Sequence, residues 1–226
     1  MRQQARQEGA IKFELEHRTT ELERRRYDEI AAKLIAWRKV LALTRLVGQD
    51  PTRYEGAGYG NVSGRVGPPS AALGHRAFLI TASQTSGLAA IDLDHFAVVD
   101  RYDIRRNRIV SHGRLHPSSE SMTHAAVYDL GPHIRCVFHV HSPVLWRMAR
   151  RLRIPTTDPH ASYGTPEMAC EVQRLFRESP VVERQILAMG GHEDGLLTFG
   201  RSPQEAGQIL IAELARAYET EHRTGV

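Results

Sequence analysis

The sequence predicts a mixed domain of the α+β kind, with helices packed on a central sheet. Three observations carry that prediction. Between Tyr27 and Leu46 the apolar residues Ile30, Leu34, Ile35, Trp37, Val40, Leu41 and Leu43 recur at helical spacing. Short apolar runs of strand length stand at 77–81, 97–100, 137–141, 185–189 and 196–200, bounded by turn residues. Between and after them lie segments that open on a proline, as helices often do: Pro143, Pro166, and Ser202-Pro203-Gln204-Glu205 with its capping-box pattern.

Length and composition bound the rest. A chain of 226 residues fits one ordinary domain, or one domain with an extension. No apolar run reaches the length of a membrane span, so no transmembrane helix is expected. The N-terminus (Arg2, Arg6, Glu8, Lys12, Glu14, Glu16) is neither a signal peptide nor a membrane anchor. With only Cys136 and Cys170 there is no disulfide framework, and a cytoplasmic location is the expectation. The 30 basic and 26 acidic residues are interspersed, so the excess of +4 points to small anions rather than to nucleic acid.

In chain order, residues 1–25 read as a charged arm, either an exposed helix or disordered, ahead of a single domain over 26–226. The Gly-rich stretch 56–65 lacks the strand–turn–helix context of a dinucleotide fingerprint. It reads as a loop entering a strand, with backbone amides and Asn61 able to approach an anion. Strand 77–81 leads into a hydroxyl-rich loop, Ala82 to Gly87, and Arg105–Arg108 reads as a surface hairpin turn. His116-Pro117-Ser118-Ser119-Glu120 opens a helix that Ser118 or Ser119 can cap. Further helices are expected over 143–153, 166–177 and from Ser202 to about Tyr218. The remaining histidines, His75, His112, His124 and His133, read as surface or helix residues; His95 and His116 flank candidate loops.

The chemistry concentrates on Val137-Phe138-His139-Val140-His141-Ser142-Pro143. Strand side chains alternate, so His139 and His141 project from one face as a rigid imidazole pair. His192 stands in a Gly-rich turn where no core needs an imidazole. Three neutral nitrogens with an open position form a catalytic zinc set. Glu120, whose helix precedes the His139 strand, is the candidate carboxylate for a fourth ligand or general base.

The order Gly60-Asn61-Val62-Ser63-x-Arg65, Ile80-Thr81, Pro117-Ser118-Ser119-Glu120, His139-x-His141 and a late histidine resembles the class II aldolase/adducin-head family over roughly residues 27–220. The resemblance implies a largely antiparallel sheet covered by helices on both sides, and a homotetramer with active sites between subunits. It implies Zn2+, or another divalent ion such as Mn2+ or Co2+, on His139, His141 and His192, with Glu120 as acid/base and as a ligand without substrate. Asn61, Ser118 and Ser119, together with Thr81, Thr85 and Gly87 of the following turn, would hold the substrate's anion.

Three departures from the family pattern stand out. The Thr-Pro-x-Gly turn becomes Thr81 to Gly87, so the anion need not be phosphate. The late His-Gly pair becomes His192-Glu193-Asp194-Gly195, bringing Glu193 or Asp194 within range of the metal or the substrate. The aldolases' proton-donating tyrosine aligns with His160, with Tyr163 three residues on. The implied activity is a zinc-dependent lyase on a small anionic sugar-derived ketone or keto acid. The family also offers decarboxylation, dehydration, a 4-epimerase branch that typically carries aspartate where Glu120 stands, and a non-catalytic adducin-like module.

Overall fold

The structure, a computed structural model, describes residues 9–225. Its strands are β1 (Glu14–Thr19), β2 (Gly48–Gln49), β3 (Gly58–Tyr59), β4 (Asn61–Arg65), β5 (Phe78–Thr81), β6 (Phe96–Asp103), β7 (Arg108–Gly113), β8 (Cys136–His141), β9 (Ile186–Ala188) and β10 (Gly195–Gly200). Its helices are α1 (Arg24–Leu43), α2 (Ser121–Tyr128), α3 (Pro143–Met148), α4 (Pro166–Glu178), α5 (Val181–Arg184) and α6 (Pro203–Thr224). Eight strands form one sheet in the order β1-β7-β6-β5-β4-β8-β10-β9, and β2 and β3 pair separately. Every pairing in the large sheet is antiparallel except β1 with β7. The expected sheet covered by helices is the one observed.

Alternation along β8 divides the core. Phe138 and Val140 join Leu34 and Leu41 of α1, Leu145 of α3 and Leu210 of α6 on one side of the sheet. Val137 joins Met122 of α2, Val172 of α4 and Val181 of α5 on the other. Successive residues of a strand face opposite ways, so His139 and His141 share the α2/α4 side with Val137.

Where the structure differs from expectation, the causes are local. The reading of residues 1–25 as helix or disordered arm fails at Glu14–Thr19, which is a strand running parallel to β7. Ile11, Phe13 and Leu15 alternate inward onto the core, whereas Glu14 and Glu16 pair with Arg108 at the sheet edge. Charge on an edge strand limits further pairing and hides the apolar alternation. Residues 1–8 of that arm lie outside the described residues.

The helix after His116 starts later than expected, at Ser121, with Glu120 at its cap position and no side-chain cap. The Ser118 hydroxyl instead accepts from the Glu120 backbone N–H (3.3 Å). α3 ends at Met148, not Arg153, and α6 runs on to Thr224. Ser202 caps α6 by accepting from Glu205 N–H (3.2 Å), but the Glu205 carboxylate returns to the N–H of Arg201, one residue before the box position.

Helices α1 and α6 meet closely because α6 has no side chain at Gly207: a Cβ there would overlap the Trp37 ring. Alanine in a helix interior is worth up to ~1 kcal/mol over glycine, and overpacking a core costs typically ~1–3 kcal/mol. Gly207→Ala is therefore expected to lower stability by about 1–2 kcal/mol in urea unfolding, against its helix propensity.

Candidate active site

β8 lies between β4 and β10, with Asn61 of β4 and Leu197 of β10 opposite His139, and Gly195 opposite His141. The turn from β9 into β10 carries His192 back over this pair. Gly195 N–H donates to the His192 carbonyl (2.9 Å), and His192 N–H to that of Met189 (3.2 Å). The turn is pressed against the 157–161 segment: a Cβ at Gly191 would overlap the Ala161 carbonyl oxygen.

The three imidazoles converge. Their ligand nitrogens lie within 4.8 Å of one another, and all three residues are buried. Ring centroids are 4.9 Å apart for His139–His141, 4.6 Å for His141–His192 and 5.0 Å for His139–His192. His139 Nδ1 lies 3.1 Å from the Leu196 carbonyl oxygen, to which it can only donate. That tautomer leaves Nε2 as a lone pair, 3.1 Å from Nε2 of His141. Burial first, and then the neighbouring imidazoles, hold both residues well below the usual histidine pKa. Neutral imidazoles with converging nitrogens, one fixed by a carbonyl behind it, are the donor set that a divalent transition metal takes. The residues fit such an ion.

Glu120 completes the cluster. Its side chain is buried, Oε1 stands 3.3 Å from His192 Nδ1, and Oε2 accepts from the Thr123 hydroxyl (2.8 Å). Tyr163 stacks on His192 with centroids 4.5 Å apart and 29° between planes.

Two spaces flank the cluster. A narrow cleft of about 20 Å³ runs between Asn61, Ser118, Ser119, Glu120 and His139. Within it Asn61 Oδ1 is buried and has no hydrogen-bond partner among the described residues. A larger cavity of about 520 Å³ opens beside His192 and Tyr163, walled by Tyr54, Pro159 and the Gly190–Gly191 backbone, with Glu55 and Glu193.

The sequence profile of the Class II Aldolase and Adducin N-terminal domain matches residues 38–221. The chain belongs to this family. Solved class II aldolase structures share its fold. The L-fuculose-1-phosphate aldolase of Thermus thermophilus is 19% identical, with 86% of this chain and 94% of that one covered at a TM-score of 0.60. An aldolase II superfamily protein from Pseudomonas syringae is 19% identical over 88% of this chain and 77% of its own, with a TM-score of 0.63. A sugar-phosphate aldolase from Thermotoga maritima is 17% identical over 86% and 94%, with a TM-score of 0.58. Among curated proteins none is similar enough in sequence to match. Class II aldolases depend on a divalent metal, and the histidine cluster is where this chain would hold one.

Of the residues the sequence singles out, His139, His141, His192, Glu120, Asn61, Ser118, Ser119 and Tyr163 meet at this cluster and its flanking spaces. Others do not. The Thr81 hydroxyl accepts from Val62 N–H (3.2 Å), and that of Thr85 donates to the Ala82 carbonyl (2.7 Å), so both serve the backbone. Gly87 packs on Gln49. The loop instead turns Ser83, Gln84 and Ser86 to the cleft, and the buried Arg38 of α1 ties it down by donating to the carbonyls of Thr85, Ser86 and Leu88. His160 is exposed, its N–H held by Asp158 (2.7 Å). Asp194 accepts from the Tyr54 hydroxyl (2.6 Å), with Arg53 at 3.6 Å. Glu193 is exposed on the cavity wall.

Sequence reasoning missed Tyr54 and Arg53. The Tyr54 ring stands edge-on to His141 at 4.7 Å, and Arg53 lies over the rings of Tyr54 and Tyr59. The Asp-Pro-Thr-Arg-Tyr-Glu-Gly run reads only as turn chemistry.

His124, on the Glu120 helix, is buried with Nδ1 2.7 Å from Ser63 Oγ, and burial pushes its pKa down to about 3. The unfolded chain binds a proton there below about pH 6.5 that the folded chain refuses until about pH 3, so stability falls as pH drops through that window. In metal-stripped protein, urea unfolding between pH 5.5 and 4.5 should show a slope shallower by one proton, about 1.4 kcal/mol per pH unit, for His124→Asn than for wild type.

Proposed function

We propose that this protein is a metal-dependent lyase that breaks a carbon–carbon bond in a small hydroxylated keto acid. The observation that carries this reading is the Glu120 carboxylate 3.3 Å from His192 at the edge of the three-imidazole cluster, with a cavity of about 520 Å³ beside it. His139, His141 and His192 would hold the divalent ion, zinc or another of its kind. What such an ion supplies when bound is Lewis acidity toward substrate oxygens that gain negative charge as the bond breaks.

The chain's own groups do the rest. Glu120 sits at the N-cap position of α2 with Oε2 anchored by Thr123, leaving Oε1 turned toward the histidines. A carboxylate so placed takes a proton from, or returns it to, a carbon or hydroxyl of the substrate. Asn61, Ser118 and Ser119 offer neutral donors to the anionic end. Their cleft, at about 20 Å³, exceeds only slightly the space one water needs, roughly 10–15 Å³. Neither flanking space is lined by a lysine or arginine among the described residues. Both facts favour a singly charged carboxylate over a phosphate. The departing carbonyl fragment would leave through the larger cavity, past Tyr163.

The test is a panel of hydroxy keto acids and ketose phosphates, assayed for cleavage by protein loaded with Zn2+, Mn2+ or Co2+. Cleavage of keto acids ahead of ketose phosphates is expected. Glu120→Gln should keep its metal and lose about 10²–10⁴ in kcat, whereas His139→Ala should lose both metal and turnover. No cleavage of any panel member by metal-loaded wild type overturns the reading.

A further inference from the structure

We infer that residues 9–13, which precede the family-matched part of the chain, form a wall of this active site, and that Lys12 is a positioning residue holding Tyr163 against His192; the inference rests on the metal-centre reading above. The segment is anchored at its C-terminal end. Phe13 is buried in the core and Ile11 packs beside it, Glu14 N–H donates to the Asn107 carbonyl (2.8 Å), and β1 then pairs with β7 along its whole length. The Asn107 side chain donates to the Lys12 carbonyl (2.8 Å), fixing the backbone at that residue.

From this backbone Lys12 reaches Tyr163. Its Nζ lies 3.3 Å from the ring centroid and donates to the Tyr163 carbonyl oxygen (3.3 Å). An ammonium over an aromatic face is attracted by the ring quadrupole. That ring is the one stacked on His192. Lys12, Tyr163 and His192 therefore form a chain of contacts from the sheet edge to the third imidazole. Partners behind a ligand set its orientation, and losing one typically weakens metal affinity ~10–100-fold. The segment meets the narrow cleft as well: Gly9 lines it together with Asn61, Glu120 and His139.

Charge and position make opposite predictions here, which gives the test its sign. Removing a cation near a divalent ion would by charge alone tighten binding; removing a brace from the ligand's neighbour weakens it. The experiment strips the full-length protein of metal and measures Zn2+ and Co2+ affinity by chelator competition, with the visible spectrum of the Co2+ form, for wild type, Lys12→Met and Lys12→Arg. Lys12→Met should bind about tenfold more weakly with an altered Co2+ spectrum. Lys12→Arg, whose guanidinium can lie over the same ring, should restore both, and melting temperatures should stay together. Unchanged or tighter binding in Lys12→Met overturns the inference, as does a Lys12→Met protein that cannot fold or a wild type that takes up no metal. Turnover is not read, so a wild type that binds metal yet cleaves nothing would refute the lyase reading alone.

Discussion

Two buried imidazoles with nitrogens 3.1 Å apart are the constraint around which this site is organised. Apolar burial keeps them neutral, and with His139 Nδ1 committed to the Leu196 carbonyl its Nε2 presents a lone pair to whatever stands before it, a metal ion or an N–H of His141. β8 can impose that arrangement because it is paired on both sides, by β4 and by β10. A one-residue slip in either pairing would carry both histidines into the apolar layer beneath α1 and α6. Phe138 and Val140 resist that slip, since it would take them out of their packing against α1, α3 and α6. The hydrophobic alternation of one strand and the geometry of the metal site are thus a single requirement.

The same logic places the other groups. β4 puts Asn61 opposite His139, and the turn into β10 brings His192 over the pair. Helix α2 packs on the α4 face, so its N-cap delivers Glu120 to the cluster. Each contributing element is a neighbour of β8 in the sheet or lies against its polar-bearing face.

What the sequence makes legible follows from locality. The same-face histidine pair is visible because a strand's period is two, and the proline-opened helices because their caps lie within one turn. β1 was hidden, because its outward residues are charged and only Ile11, Phe13 and Leu15 betray an inner face. The Tyr54–Asp194 bond was hidden too, since it joins residues 140 positions apart, and Asp194 reads in the sequence as reaching for the metal or the substrate. Thr81 and Thr85 misled for a subtler reason: their hydroxyls were free in the sequence but belong to the backbone in the fold, and the cleft takes Ser83, Gln84 and Ser86 from the same loop.

Backbone strain divides the site into a fixed side and an adaptable one. Tyr54, Glu55, Asp194 and Gln84 all hold positive φ, from 50° to 63°, a region that side chains enter at a cost of order 1–3 kcal/mol each. Three of the four line the cavity wall or brace it, through the Tyr54–Asp194–Arg53 contacts around His141. The opposite side, β8 with α2, is regular backbone buried in the core. A scaffold of the second kind keeps the His139 and His141 nitrogens and the Glu120 carboxylate in register, whereas strained loops at the rim can change shape between related chains. Selectivity among substrates would accordingly reside in the 53–60 and 82–87 segments and in the N-terminal wall, whereas β8, the N-terminal end of α2 and the His192 turn would carry the metal ligands and the proton-transfer group.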